Sequence, residues 1–234
     1  MSARTPLALL PGLLLDEAFW RHQVAGLADI ADCWVADFRT QDSMAAMAES
    51  VLAAMPPRFC LAGLSMGGYV AFEIMRRAPE RVERLALLDT QARPDEDAAR
   101  ARRLALVELA RKGKFKGVTP RLLPLFVHPD RLEDEELTAG IMAGAESIGR
   151  QGFLNQQKAI LGRPDSRPTL ATIHCETLVL CGREDQLTPV DRHTEIAAGI
   201  ARSRLVILEH CGHLPPVELP EPTTSELRRW LSRD

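Results

Sequence analysis

No apolar stretch in the 234 residues reaches the ~18 needed for a membrane-spanning helix. Arg4 followed by Leu7–Leu15 resembles a short secretory segment. Pro11-Gly12 interrupts it, however, Asp16-Glu17 follows at once, and no small-x-small cleavage site appears, so a strand and loop are expected instead. Repeats, low-complexity tracts and glycine/serine linkers are absent too. The net charge is only −3 and its charges are scattered, which leaves no basic footprint for nucleic acid or an anionic membrane. Cysteine is sparse and odd in number. Cys33, Cys60, Cys175, Cys181 and Cys211 show no metal-pair spacing and sit mostly in apolar runs, as free thiols in a reducing cytoplasm would. No His/Cys/Asp set has zinc spacing, so neither a catalytic metal nor a cofactor is expected.

What is present is 46% hydrophobic residues, enough for one domain with a sizeable core. Its centre is Leu61-Ala62-Gly63-Leu64-Ser65-Met66-Gly67-Gly68: an apolar strand, a glycine-flanked serine, and a helix start. In a Gly-x-Ser-x-Gly turn the backbone is strained, the serine is pushed out above the sheet, and the glycines leave space where a Cβ would clash. The context fits, with strand character before Ser65 and a helix over 66–77 stopped by Pro79.

Around this turn the chain alternates. Strands are expected at 5–10, 33–38, 58–62 and 84–88. Asp16 caps a helix carrying Trp20, Val24 and Leu27, and Ser43 caps one over 44–55. Continuous apolar strands between helices indicate a mostly parallel sheet covered on both faces. From about 93 to 164 the alternation gives way to helices at 95–111, 133–149 and 152–161, with an apolar stripe at 119–127. A core over 1–92 and 165–234 with a helical cap insertion at 93–164 is the expected organisation. Strands resume at 177–181 and 205–208, with helices at 170–173, 190–198 and 223–231.

A serine needs a base, and the base an orienting acid, both in loops beyond the strands' C-terminal ends. Gly182 to Pro189 supplies Asp185, and His210-Cys211-Gly212-His213 supplies His213. The order Ser, Asp, His, with Pro11-Gly12 after the first strand, Gly182-x-x-Asp185-x-x-Thr188-Pro189, and Glu218 and Pro220 after Gly212-His213, resembles the α/β-hydrolase superfamily. The resemblance lies with its compact bacterial esterases, lactonases and cofactor-free perhydrolases, and it spans nearly the whole chain. It implies an α/β-hydrolase fold with Ser65 as nucleophile, His213 as base and Asp185 as orienter. The implied oxyanion hole is the backbone N–H of Met66 and of Leu13, with Leu14 as the alternative donor. Pro11-Gly12 stands where many relatives have His-Gly.

Asp89, at a strand end, is the competing acid, and His210 the competing base. Glu184 is expected in solvent, Glu218 as a capping carboxylate, and Tyr69 and Trp230 in the core. His22, His128, His174 and His193 are expected at the surface or at helix ends. Phe115, Phe126 and Phe153 either line a pocket or simply pack. The expected activity is hydrolysis of a small ester, thioester or lactone through an acyl-enzyme. Perhydrolysis and carbon–carbon cleavage on the same groups are alternatives, as is slow-turnover ligand binding on a hydrolase scaffold. The expected partner is a small acyl substrate.

Overall fold

The computed structural model describes residues 4–232. Six strands, β1 (Thr5–Leu10), β2 (Ala31–Val35), β3 (Phe59–Leu64), β4 (Val82–Leu88), β5 (Glu176–Gly182) and β6 (Ser203–Leu208), form one sheet in the order β2-β1-β3-β4-β5-β6. Every neighbouring pair is parallel. The helices are α1 (Arg21–Leu27), α2 (Met44–Ala54), α3 (Met66–Arg77), α4 (Asp97–Arg111), α5 (Glu135–Leu161), α6 (Arg167–Leu170), α7 (Val190–Gly199), α8 (Pro215–Glu218) and α9 (Pro220–Leu231).

Side chains of the central strands alternate between two cores, as a period of two requires. Ala8, Leu10, Leu61, Leu85, Leu87 and Val179 pack with α2, α3 and α7 on one face. Leu7, Leu9, Ala62, Leu64, Leu88 and Leu180 pack with Trp20, Leu227 and Trp230 on the other. Both faces are therefore covered, and β3, in the middle, is buried along its whole length.

Several boundaries move relative to the sequence reading. β2 begins at Ala31 because its register is set by β1, with Thr5 opposite Ala31. The chain leaves the ladder after Ala36, whose N–H still bonds Leu9 O at 3.0 Å, and Phe38 is buried from the loop beyond. Asp16 caps a short 3₁₀ turn, Glu17–Trp20, ahead of α1. The stripe at 119–127 yields one 3₁₀ turn, Leu123–Leu125. The helices expected at 133–149 and 152–161 run together as α5, broken at Gly149, whose φ of 68° and ψ of 177° are not helical. Pro215–Glu218 forms a single helical turn. Among the described residues no helix is long and apolar enough to cross a membrane.

Candidate active site

Ser65 lies between β3 and α3 with φ 53° and ψ −111°. Such a conformation costs of order 1–3 kcal/mol. It is held by Ser65 N–H donating to Leu88 O (3.0 Å) and by Thr90 Oγ1–H donating to Ser65 O (2.8 Å). The flanking glycines are obligatory. A Cβ at Gly63 would stand 2.4 Å from Gly67 O, and one at Gly67 would stand 2.2 Å from Leu10 O. Ser65 thus stands at the C-terminal end of β3, on the rim of the sheet.

The loops after β5 and β6 reach the same rim. His213 Nε2 lies 2.9 Å from Ser65 Oγ, and His213 Nδ1 lies 2.8 Å from Asp185 Oδ2. Asp185 and His213 are each only 3% exposed. Burial pushes the Asp185 carboxyl up, but the His213 charge and hydrogen bond, with Thr188 donating from both Oγ1–H (2.6 Å) and N–H (3.0 Å), outweigh it. The result is a pKa of about 2. Leu187 N–H adds a further donor at 2.8 Å. An ionised carboxylate can only accept, so Nδ1 carries the imidazole proton and Nε2 is left to accept from the Ser65 hydroxyl.

The loop after β1 lies beside Ser65: a Cβ at Gly12 would come within 3.3 Å of the Ser65 Cβ. Leu14, at φ 62°, donates its N–H to Gln156 Oε1 of α5 at 3.0 Å. That donor is committed, which leaves Leu13 as the loop's candidate. Met66 is the first residue of α3, where an N–H has no partner within its own helix.

A match to the Alpha/beta hydrolase family spans residues 7–226. The chain belongs to that family. It is 30% identical over 227 residues to the pimeloyl-(acyl-carrier protein) methyl ester esterase of Nitrosomonas europaea, covering 90% of this chain and 84% of that protein. Among solved structures it resembles a thermophilic esterase from Thermogutta terrifontis at TM-score 0.87 and 30% identity, covering 97% of this chain and 89% of that one. It also resembles the enol-lactonase from Burkholderia xenovorans LB400 at TM-score 0.90 and 25% identity, covering 99% and 93%. As an alpha/beta hydrolase among named esterases, the chain is a hydrolase enzyme.

Within this hydrolase the other sequence candidates separate. Asp89 is wholly buried: Oδ1 accepts the Gly182 N–H at 2.9 Å, while Oδ2 has no partner among the described residues. His210 is exposed and its ring meets His128 edge to face, at 5.5 Å between centroids. His128, Asp130 and His210 offer ligand atoms within 4.8 Å of one another, but the His128 Nδ1 lone pair already accepts the Asp130 N–H at 3.2 Å. His193 is not at the surface. It is fully buried on α7, where Nε2 accepts the Thr90 N–H at 2.9 Å, and burial drives its pKa down to about 4. A neutral imidazole thus ties α7 to the strand end beside Ser65. Glu184 is half-buried rather than solvated, because Oε2 accepts the Cys211 N–H at 3.0 Å.

Phe126 packs 6.4 Å from the His213 ring, whereas Phe115 and Phe153 pack on each other at 5.1 Å. Tyr69 is buried beneath the Arg163 guanidinium, 4.3 Å from its ring centre. The sequence reading missed Gln156, whose bond to Leu14 joins residues 142 apart; only its polarity within a buried helix stretch signalled it.

Proposed function

We propose that the chain hydrolyses a small carboxylic ester, thioester or lactone through an acyl-enzyme on Ser65. One observation carries the reading: a hydroxyl, an imidazole and a carboxylate follow one another at 2.9 and 2.8 Å on the sheet rim. In this reading His213 Nε2 takes the Ser65 proton as Oγ attacks the carbonyl, then returns it to the leaving alkoxide, thiolate or ring oxygen. Water, deprotonated by the same nitrogen, cleaves the acyl-enzyme. Asp185 holds the reactive tautomer and balances the imidazolium charge. The N–H groups of Met66 and Leu13 face the oxyanion, a contribution worth about 3 kcal/mol per donor in comparable sites. The named activities of the esterase and lactonase relatives support this substrate class.

The test is covalent labelling with a fluorophosphonate, paired with burst kinetics on a p-nitrophenyl ester. The parent chain should label and turn over steadily, and Ser65→Ala should fold but not label. Labelling that survives in Ser65→Ala would refute the role of Ser65. A single slow burst without turnover would favour a binding protein on this scaffold.

A further inference from the structure

Glu218 lies outside the Ser65–His213–Asp185 contacts, yet it is 1% exposed and fully engaged. Oε2 accepts from the N–H of His128 at 2.7 Å and of Gly212 at 3.0 Å, and Oε1 accepts from the N–H of Leu214 at 2.9 Å. Gly212 and Leu214 are the two chain neighbours of His213. The His213 N–H itself donates to Phe126 O at 2.8 Å. The backbone carrying the imidazole is therefore pinned before, at and after His213. One of those pins, at Phe126 O, reaches the segment between α4 and α5, and Glu218 holds the same segment through the His128 N–H.

That segment also presses directly on the loop. A Cβ on Gly212 would come 2.8 Å from His128 N and Val127 C, and 2.9 Å from Phe126 O. Only a glycine there lets the two backbones approach so closely. Burial pushes the Glu218 carboxyl upward, while its three N–H donors and the His213 charge work against that.

We propose that Glu218 is a positioning residue for His213, and that through it the 126–128 segment sets the distance between the imidazole and Ser65. Docking of the inserted segment and alignment of the base are then one event: the carboxylate that fixes the His213 loop is the same one that fixes the segment above it. The inference rests on the reading of His213 as the base. A glutamine cannot replace Glu218. Whichever way its amide turns, the NH₂ faces at least one N–H donor where an acceptor is needed.

The experiment compares the full chain with Glu218→Gln and Gly212→Ala, each checked for folding by circular dichroism. The readouts are the rate of fluorophosphonate acylation, kcat and KM for p-nitrophenyl acetate, and the low-field proton signal of the His213 Nδ1–H. A misplacement near 1 Å at the reacting atoms should slow acylation and kcat roughly 10- to 100-fold. KM should stay within about threefold, since ground-state binding is not the target. The Nδ1–H signal should shift or broaden in both variants.

If Glu218→Gln does not fold, Gly212→Ala decides, because it displaces the segment with Glu218 intact. A folded variant that acylates within about twofold of the parent with an unmoved signal overturns the proposal, as does a loss confined to KM. Failure of the parent to label at Ser65 removes the underlying reading and this proposal with it. A parent that labels beside unaffected variants removes this proposal alone.

Discussion

Asp89 and Asp185 present carboxyl oxygens within 4.8 Å of each other and of the same His213 imidazole, yet their surroundings push the two acids in opposite directions. Asp185 has four donors and the His213 charge, and is ionised. For Asp89, burial and then the Asp185 charge push the carboxyl well above its usual range, with a single N–H in opposition. Two carboxylates this close and this dry oppose each other's ionisation, and the one with more hydrogen-bond donors holds its charge more readily.

The upward push on Asp89 has a measurable cost. Above its ordinary pKa of 3.8 the unfolded chain releases this proton while the folded chain keeps it. The folded state binds more protons in that window, so this term lowers stability as pH rises towards the folded pKa. Asp89→Asn removes the term. The melting temperature of the variant relative to the parent should therefore climb as pH rises above about 4, with a difference that does not vary with pH counting against an upward-shifted Asp89.

Asp185→Asn should act on rate. An asparagine can present its NH₂ to the imidazole and favour the wrong tautomer, for which comparable losses in kcat are about 10⁴. Steady-state kinetics at neutral pH would check this. An Asp185→Asn enzyme within about tenfold of the parent would mean that another acid orients His213.

Gln156→Leu should show whether α5 sets the loop proposed to face the oxyanion. It strips the buried Leu14 N–H of its acceptor, at a cost of about 1–3 kcal/mol. Denaturant unfolding should register that loss. The freed loop should also lower kcat several-fold, with the larger effect on the slowest acyl leaving groups.

Gly67→Ala tests the packing beneath Ser65. The new Cβ would stand 2.2 Å from Leu10 O, deep in the sheet, where neither backbone can yield cheaply. Loss of soluble, cooperatively melting protein is expected. A variant that melts within about 3 °C of the parent would show that β1 and α3 are free to part.

Much of this was legible in the sequence because it is local. The strained turn at Ser65 demands glycines at fixed offsets, and Asp185 and His213 sit in loops past apolar strands, where the Gly182-x-x-Asp185-x-x-Thr188-Pro189 and Gly212-His213 patterns favour them over Asp89 and His210. The alternation of apolar runs and helices likewise carries the parallel sheet. What escaped depends on partners far along the chain. His193 is buried with its Nε2 accepting from Thr90, 103 residues away, and Glu218 gathers donors from His128 as well as from its own loop. The extent of β2 is dictated by its pairing with β1, which composition does not reveal. No periodicity within a short window records such pairings, and a carboxylate nested among N–H groups looks like any other glutamate in the linear string.

The order of the loops bears on how this protein is made. As the chain grows from its N-terminus, the β3 turn can place the Ser65 hydroxyl early, but the imidazole that accepts from it arrives 148 residues later. Until that later stretch is made and folded, the Ser65 hydroxyl has no His213 imidazole beside it.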